Sequence, residues 1–414
     1  FGYNESFAGS EGVDHFQQQL ANHVEHLRKQ SYNGKVPPRV VLFSPIACEN
    51  LKNRHLPSGR ENNGRLALYS KAIQEVARSM ETSYVDLFQL TYQLYLQETE
   101  PLTINGIHLN QRGNRLVAQS VARTLFGGDI PDLPNARLET LRQAVLDKNL
   151  HWFNRYRATD GFSVFGGRSG LKFVDGQTNY VVMQRELAML DTMTANRDKR
   201  IWALAAGQDQ AAEDNNLPDP VPVVSNKQGS GDDGQHIFLS GTEAIGKMET
   251  AKGMSIGLFA SEEEFPELIN PVQSAVDPDG RLWVATWPSY PHWNPKQELN
   301  DQLLILEDHD ADGKCDQVKV FADKLHNPTG LEFWGGGVIV AQTPDLMFLK
   351  DTDGDDVADV RIRMMHGIDS ADTHHTANSF TIGPSGWLYF QRGVFHFTNI
   401  ETPWGKPVRD TRSA

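Results

Sequence analysis

The stretch DHDADGKCD at residues 308–316 recurs 43 residues later as DTDGDDVAD at residues 351–359, and each copy follows an apolar run. Around both copies, short apolar runs alternate with turn residues, the pattern of β-strands. A period of about 40 to 50 residues with about four strands per unit is typical of β-propeller blades. We therefore expect an all-β propeller at residues 250–414. It would comprise the first two to three blades and be C-terminally truncated, since a ring needs at least about four.

Residues 1–128 alternate helical and strand-like segments instead. The apolar run at residues 39–44 follows Pro37-Pro38 and predicts a strand buried on both faces. A helix is expected over residues 65–80, a second buried strand over residues 84–88 and a last helix from near Gln111. The first helix carries apolar residues at helical spacing, namely Phe16, Leu20, Val24 and Leu27. Strands alternating with helices imply a parallel sheet with helices on both faces.

Two further regions separate these domains. Residues 129–206 are predicted to form a helical extension, with one amphipathic helix beginning near Leu138 and another through Leu187 and Leu190. The Gly-rich segment 165–168 lacks the strand-to-helix context of a phosphate-binding loop and is interpreted as a turn. Residues 207–249 are predicted to be a linker, because most of this stretch is rich in Asp, Asn, Pro, Gly and Ser.

The charge balance excludes some classes of partner. The chain has 53 acidic and 39 basic residues and a net charge of −14. Such a chain repels nucleic acid and anionic lipid, and no apolar run approaches the roughly 20 residues of a membrane span. Cys48 and Cys315 form no metal or haem motif and are expected to be unpaired. Because the chain starts at Phe1 and stops after strand-like segments, we expect it to be a fragment.

Two motifs in the N-terminal region carry catalytic residue types. NGIHLN at residues 105–110 places His108 on a loop at the edge of the predicted sheet, where an imidazole can act as general base. FGYNES at residues 1–6 places Asn4 shortly after Gly2, at a turn where an amide can donate to a developing oxyanion. Each residue also has a structural interpretation, His108 as a capping or core histidine and Asn4 as a turn residue.

In this order, the two motifs resemble the SGNH/GDSL hydrolases, ester hydrolases with a flavodoxin-like three-layer α/β sandwich. Gly2 and Asn4 match the Asn block of that family, and His108 matches its base. The resemblance implies a Ser nucleophile and no cofactor. The Ser block and the separate Gly block would precede Phe1, so we expect an N-terminally truncated domain that is inactive alone. The family's Asp three residues before the His is Asn105 here, which favours a Ser–His dyad with Asn105 in an orienting role.

The two Asp-rich loops place carboxylates at alternating positions, an arrangement that suits a hard cation such as Ca²⁺. They resemble the D-x-D-x-D-G loops of calcium-binding propeller blades. Neither loop ends in the bidentate Glu of an EF-hand, and the alternative is a pair of β-hairpin turns, where Asp-Gly is common. The predicted ligands are Asp308, Asp310, Asp312 and Asp316 in the first loop, and Asp351, Asp353, Asp355 and Asp359 in the second.

A further motif places His375 eight residues before Gly383-Pro384. This spacing resembles that of the catalytic His in the soluble quinoprotein glucose/sorbosone dehydrogenases. The resemblance implies that His375 faces a central channel, where pyrroloquinoline quinone (PQQ) and an alcohol would meet in the complete propeller. The alternative is a structural His hydrogen-bonded between blades, and the cofactor-binding Lys and Arg of that family would lie in further blades.

The order of the segments resembles a group of exported bacterial multidomain proteins. These join an SGNH domain to a dehydrogenase-like propeller, usually with a C-terminal haem-binding CxxCH domain. The stretches that fit are 196–202, 270–272, 287–291 and 403–405. The resemblance implies export to the periplasm or cell surface and a role in carbohydrate breakdown.

Three functions follow from these resemblances. The first is an SGNH-type ester hydrolase acting on small-molecule or carbohydrate esters, most simply a carbohydrate deacylase. The second is a quinone-dependent sugar or alcohol dehydrogenase in which the SGNH part is accessory. The third is a non-catalytic propeller scaffold that binds glycans or partner domains.

Overall fold

A computed structural model describes residues 1–127, 135–156, 161–224, 237–290, 295–342, 344–370, 372, 375–393 and 396–410. Parts of the predicted helical extension (129–134 and 157–160) and of the predicted linker (225–236) lie outside the described residues. The chain is multidomain, with helices and several small sheets. One compact unit comprises Phe1–Leu133 with Glu401–Val408, and the other comprises Pro134–Ile400 with Arg409–Ala414.

The first unit alternates helices with two short strands. The strands β1 and β2 are parallel, with Val41 opposite Ser83 and Phe43 opposite Val85. Two 3₁₀ turns, Glu5–Ala8 and Ser10–Gly12, precede the regular elements, which are α1 (Val13–Arg28), β1 (Val41–Phe43), α2 (Arg60–Ser79), β2 (Ser83–Val85), α3 (Leu87–Gln97) and α4 (Gln111–Phe126).

The core of the first unit lies where α1 packs on α2. The predicted stripe of α1 is buried at Phe16, Leu20 and Val24. Phe16 and Leu20 join a cluster with Tyr69 and Ile73 of α2. Full burial of one such side chain contributes about 1.5–3 kcal/mol. This contact therefore fixes the N-terminal segment against α2.

Two details of the strand predictions are wrong. The β1 strand is not buried on both faces, because Leu42 packs against the α1–α2 core while Phe43, which points to the opposite face, is 38% exposed. The predicted second strand ends at Val85. Asp86 then caps α3 by accepting a hydrogen bond from the Gln89 amide at 2.8 Å, so Leu87 is already helical.

The helices of the second unit are α5 (Asn135–Tyr156), α6 (Gly161–Val164), α7 (Asn179–Ala205) and α8 (Gly241–Ile245). Leu187 and Leu190 of α7 are buried as predicted. The predicted apolar face of α5 is wrong, since Leu138 is exposed while Ala144 is buried. The face of α5 that carries Ala144 is turned toward α7 instead, and Asp147 of α5 forms an ion pair of 2.9 Å with Arg197 of α7. The short α8 lies inside the predicted linker.

The strands from residue 271 onward follow one another in two four-stranded antiparallel sheets and two two-stranded sheets. Each Asp-rich loop joins the third and fourth strand of its sheet, so the sequence repeat corresponds to a structural repeat. Within the described ranges, neither sheet closes into a barrel or a ring. The strands are β3 (Pro271–Val276), β4 (Leu282–Thr286), β5 (Asp301–Glu307), β6 (Gln317–Leu325), β7 (Gly330–Trp334), β8 (Gly337–Gln342), β9 (Asp345–Lys350), β10 (Val360–His366), β11 (Asn378–Ile382), β12 (Leu388–Gln391), β13 (Thr398–Ile400) and β14 (Val408–Asp410).

The two four-stranded sheets share one buried apolar cluster. Trp283 and Ile305 of the first sheet pack with Val338, Val340 and Leu349 of the second. Ile305, Val338 and Leu349 have no more than about 1% of their surface exposed. Successive side chains along these strands point to opposite faces of the sheet, and both faces are buried, since Ile305 lies in this cluster while its neighbour Leu304 lies in another.

A network of charged side chains reinforces the same contact. Arg281 lies 2.8 Å from Asp356 and 3.6 Å from Glu307, and Lys319 lies 2.7 Å from Asp356 and 2.9 Å from Glu307. Asp277 accepts hydrogen bonds from Arg281 and from the indole of Trp283. Asp356 belongs to the second Asp-rich loop, whereas its cationic partners belong to the first sheet. The network, which we call the charge ring, therefore joins the two sheets.

Asp356→Asn should destabilise the chain by about 1.5–3 kcal/mol, the range for hydrogen bonds to charged groups. Burial opposes ionisation of Asp356, but Lys319 and Arg281 together lower its pKa below the ordinary value. The ionised form therefore stabilises the folded state above the unfolded pKa of about 3.9, and this contribution is lost as pH falls through the lower folded pKa. Urea unfolding gives the free energy of unfolding of Asp356→Asn and of the unmodified chain. The two values should differ at pH 7, and the difference should shrink below pH 4. The exposed neighbour Asp355→Asn is the control; equal effects of both variants at pH 7 would contradict the charge ring.

Among the described residues, no helix has both the length and the hydropathy that a membrane crossing requires. Cys48 and Cys315 are free thiols, one in each unit. Burial raises the pKa of Cys48 to about 11.

Candidate functional site

The loop that carries His108 is held by a buried carboxylate. Glu49 accepts hydrogen bonds from the amides of Leu102 and Thr103, at 3.0 and 2.7 Å, and from the Thr103 hydroxyl at 2.6 Å. Gly106 turns the loop at a φ of +90°, and a Cβ there would lie 3.0 Å from the Glu49 carbonyl. The site residue is thus placed by a rigid turn. Sequence reasoning missed Glu49, because nothing near it in the chain indicates its partner.

Asn105 lies where the predicted orienting role requires it. Its Oδ1 is 3.1 Å from Nδ1 of His108 and also accepts hydrogen bonds from the amides of Ile107 and His108. An amide oxygen at Nδ1 favours a proton there, so Nε2 is an acceptor in the neutral imidazole and a donor in the imidazolium. The His108 side chain is 42% exposed, and its Nε2 faces the carboxylate of Glu401 at 3.5 Å.

Gly2 is required by the backbone. Its φ is +101°, and a Cβ would lie 3.1 Å from Cδ of Pro45 and 3.3 Å from Cδ1 of Ile73. The Gly2 amide donates to a carboxylate oxygen of Glu5 at 2.7 Å. In this structure, Gly2 therefore shapes the turn that presents Asn4, and its amide is engaged locally.

Asn4 and His108 meet at a side chain that the sequence did not suggest. Nδ2 of Asn4 donates to Oε1 of Glu401 at 2.6 Å, and Oε2 of Glu401 lies 3.5 Å from Nε2 of His108. The interaction with His108 lowers the pKa of Glu401; the hydrogen bond from Asn4 also lowers it, and partial burial opposes both. Oδ1 of Asn4 is buried and has no hydrogen-bond partner among the described residues.

The segment around Glu401 is anchored by neighbours in the same unit. The Tyr3 hydroxyl donates to the Thr402 carbonyl at 2.9 Å, and the Trp404 indole donates to the His55 carbonyl at 2.8 Å. Glu401 is 397 positions from Asn4 along the chain. No local pattern in the sequence could have paired the two residues.

The two Asp-rich loops gather three carboxylates each. Oxygens of Asp308, Asp310 and Asp312 lie within 4.8 Å of one another, as do those of Asp351, Asp353 and Asp359. The structure does not bring the other two predicted ligands into these groups. Asp316 accepts a hydrogen bond from the His309 amide at 2.7 Å, and Asp355 accepts one from the Val357 amide at 2.8 Å.

The charges in the second loop repel one another. Asp355 and Asp359 raise the pKa of Asp353, because each disfavours another negative charge nearby. Asp351 has a lowered pKa, since the amide of Gly354 donates to it at 2.7 Å. Carboxylates concentrated in this way fit a hard divalent cation, while the loop's own amides satisfy part of the same oxygens.

His375 is paired with a buried carboxylate. Its Nδ1 lies 2.9 Å from Oδ2 of Asp372, which is fully buried and also lies 3.0 Å from Arg168. Arg168 belongs to the Gly-rich segment 165–168, which forms a turn as predicted. His375 precedes β11 by a short stretch, and half of its side chain is exposed. Sequence reasoning did not connect Arg168 with His375.

Comparisons with known proteins cover only part of the chain. A family model described as "Domain of unknown function (DUF7133)" matches residues 240–412. None of the curated proteins matches the sequence. Two solved structures are similar in part: the iodide and the calcium structures of Trichoderma reesei Carbohydrate-Active Enzymes Family AA12, at 16% and 14% identity and TM-scores of 0.23 and 0.22. Each match covers 30% of this chain and 30% of the other chain. TM-scores this low indicate neither a shared fold nor a shared function.

Proposed function

We propose that the first unit is the C-terminal part of an SGNH-type ester hydrolase and that Asn4 and His108 act on its acyl group. The observation that carries this proposal is that one carboxylate, that of Glu401, reaches both residues at once. A carboxylate has the size and the two-oxygen geometry of an acyl group. Asn4 and His108 are therefore placed to act on the same acyl group, Asn4 as hydrogen-bond donor and His108 as base.

The proposed chemistry is acyl transfer through a Ser supplied by a preceding segment. As the Ser oxygen bonds to the ester carbon, Nε2 of His108 takes the hydroxyl proton, and Nδ2 of Asn4 donates to the carbonyl oxygen as it becomes an oxyanion. His108 then returns the proton to the departing alcohol, and water repeats the sequence to release the acid. Asn105 holds the imidazole without contributing a charge.

We further propose that the two four-stranded sheets are propeller blades in a carbohydrate-active exported protein. The support is the repeat itself: each Asp-rich loop occupies the same strand connection, 43 residues apart. Small acyl esters of carbohydrates are the proposed substrates, in keeping with the resemblance of the segment order.

Hydrolysis of p-nitrophenyl acetate tests the proposal. The protein is expressed from a reading frame that includes the segment expected before Phe1, and a fluorophosphonate probe labels any reactive Ser. We expect esterase activity that the probe abolishes in proportion to labelling. Absence of both hydrolysis and labelling in that protein would overturn the proposal.

We propose as well that the Asp-rich loops bind Ca²⁺. Ca²⁺ should raise the thermal unfolding midpoint of the second unit within the 414-residue chain, because binding to the folded state stabilises it by about 2.7 kcal/mol at a hundredfold excess over Kd. Mg²⁺ should substitute poorly, since it requires stricter octahedral geometry. Asp310→Asn and Asp353→Asn should each reduce the shift measured against EDTA.

Asp279→Asn, an exposed carboxylate outside both loops, is the matched control for this measurement. It should leave the Ca²⁺-dependent shift unchanged. If the midpoint of the native chain is the same in Ca²⁺ and in EDTA, the loops are hairpin turns and no calcium is bound.

A further inference from the structure

The carboxylate of Glu401 is placed as a bound acid would be. Its Oε1 accepts the Asn4 hydrogen bond at 2.6 Å, and its Oε2 faces Nε2 of His108 at 3.5 Å. In an acyl hydrolase, the oxyanion donor faces the carbonyl oxygen, and the base faces the oxygen that gains or loses a proton. The acid released by ester hydrolysis has two oxygens in these same two places. Glu401 thus reproduces the contacts of the product.

Several contacts distinguish this arrangement from a casual surface ion pair. The segment is anchored directly after Glu401, by Tyr3 at Thr402 and by the Trp404 indole at the His55 carbonyl. The Asn4 contact is short and charge-assisted, a class about twice as strong as a neutral hydrogen bond. Glu401 keeps 44% of its side chain exposed, so the carboxylate can leave without opening a core.

We propose that Glu401 is an internal carboxylate ligand of the Asn4–His108 pair. It occupies the position of the acid product and excludes acyl substrates until the Glu401 side chain withdraws. The identification of the ligand as a product acid rests on the proposed hydrolase function. The site accordingly takes short carboxylate anions, such as acetate, in competition with Glu401.

The contacts of Glu401 indicate how strongly it competes with an external carboxylate. An external ligand binds only the fraction of molecules in which the Glu401 side chain has withdrawn, so its apparent affinity falls by that fraction. A net contribution of about 1.4 kcal/mol from the charge-assisted hydrogen bond corresponds to a tenfold difference. Removing the Glu401 carboxylate should therefore tighten acetate binding about tenfold.

The test uses the 414-residue chain and sodium acetate as the probe, with sodium chloride at equal ionic strength as reference. The imidazole signals of His108, identified by their loss in His108→Gln, are followed by NMR at constant pH. We expect acetate to shift them at about tenfold lower concentration in Glu401→Ala than in the unmodified chain. Glu401→Gln keeps the size of the side chain and should respond at an acetate concentration between those two. Glu100→Gln, an exposed carboxylate of the same unit, should match the unmodified chain.

Equal acetate affinity in the unmodified chain and in both Glu401 variants would overturn the internal ligand, as would no acetate effect on His108 in any of them. Circular dichroism establishes that each variant is folded, and Glu401→Gln decides the question if Glu401→Ala does not fold. Tenfold tighter acetate binding without esterase activity in the longer protein would support the internal ligand and remove the hydrolase function. Esterase activity with unchanged acetate binding would support the hydrolase function and overturn the internal ligand.

Discussion

Replacing His108 with Ala should lower the kcat for p-nitrophenyl acetate by at least about 10³-fold in the protein that includes the Ser segment. Removal of a general base costs about 10²–10⁴-fold, and more when it acts as one unit with the nucleophile. Oδ1 of Asn105 lies 3.1 Å from Nδ1 of His108, and Nε2 of His108 faces Glu401, the side chain that Asn4 also contacts. Ester hydrolysis followed at 405 nm gives the rate.

The exposed His26 of α1 offers a matched control. His26→Ala removes an imidazole from the same unit, far in sequence from both motifs, and should leave the rate unchanged. A His108→Ala variant that keeps the full rate, while correctly folded by circular dichroism, would show that His108 is a structural loop residue. Fluorophosphonate labelling should also slow in His108→Ala, because the same base activates the nucleophile.

Replacing Asn4 with Ala should lower kcat by about 10²–10³-fold, the cost of removing one oxyanion donor. The effect should fall on kcat, because the amide acts on the charge that develops during the reaction. The same change removes the hydrogen bond that holds Glu401, so the KM should stay constant or decrease. Steady-state kinetics with acetate and butyrate esters separate the two parameters.

Asn22→Ala, on the exposed face of α1, controls for loss of an amide. A rise in KM with unchanged kcat in Asn4→Ala would assign Asn4 to ground-state binding and contradict its role as oxyanion donor. A purely structural role at the turn would instead lower the thermal stability, which the circular dichroism midpoint reports.

The features that the sequence predicted best are local and periodic. The stripe of α1 at Phe16, Leu20 and Val24 needed only helical spacing and apolar side chains. The start of α4 near Gln111 was predicted correctly, and in the structure Asn110 caps this helix through the Gly113 amide. The end of β2 could have been found the same way, because Asp86 is a capping residue type.

The features that the sequence missed depend on distant neighbours. The burial of β1 was overestimated because an apolar run shows neither which strands pair with it nor which face stays open. Of the eight predicted loop ligands, Asp316 and Asp355 lie outside the two groups of carboxylates. Most of the eight accept hydrogen bonds from backbone amides, a use that short acidic side chains share with metal ligation. Glu401 had no local signal at all, since its partners lie at the opposite end of the chain.

The charge ring has a consequence for how ions approach the second unit. Two cations, Arg281 and Lys319, lie among three carboxylates there, so the charge of Asp356 is compensated by both cations beside it, whereas the carboxylates of Asp353 and Asp359 have no cation beside them among the described residues. The loop at residues 351–359 therefore has a neutralised side at Asp356 and an electronegative side a few residues away. The electric field on that side attracts diffusing cations toward the loop and accelerates their association at low ionic strength.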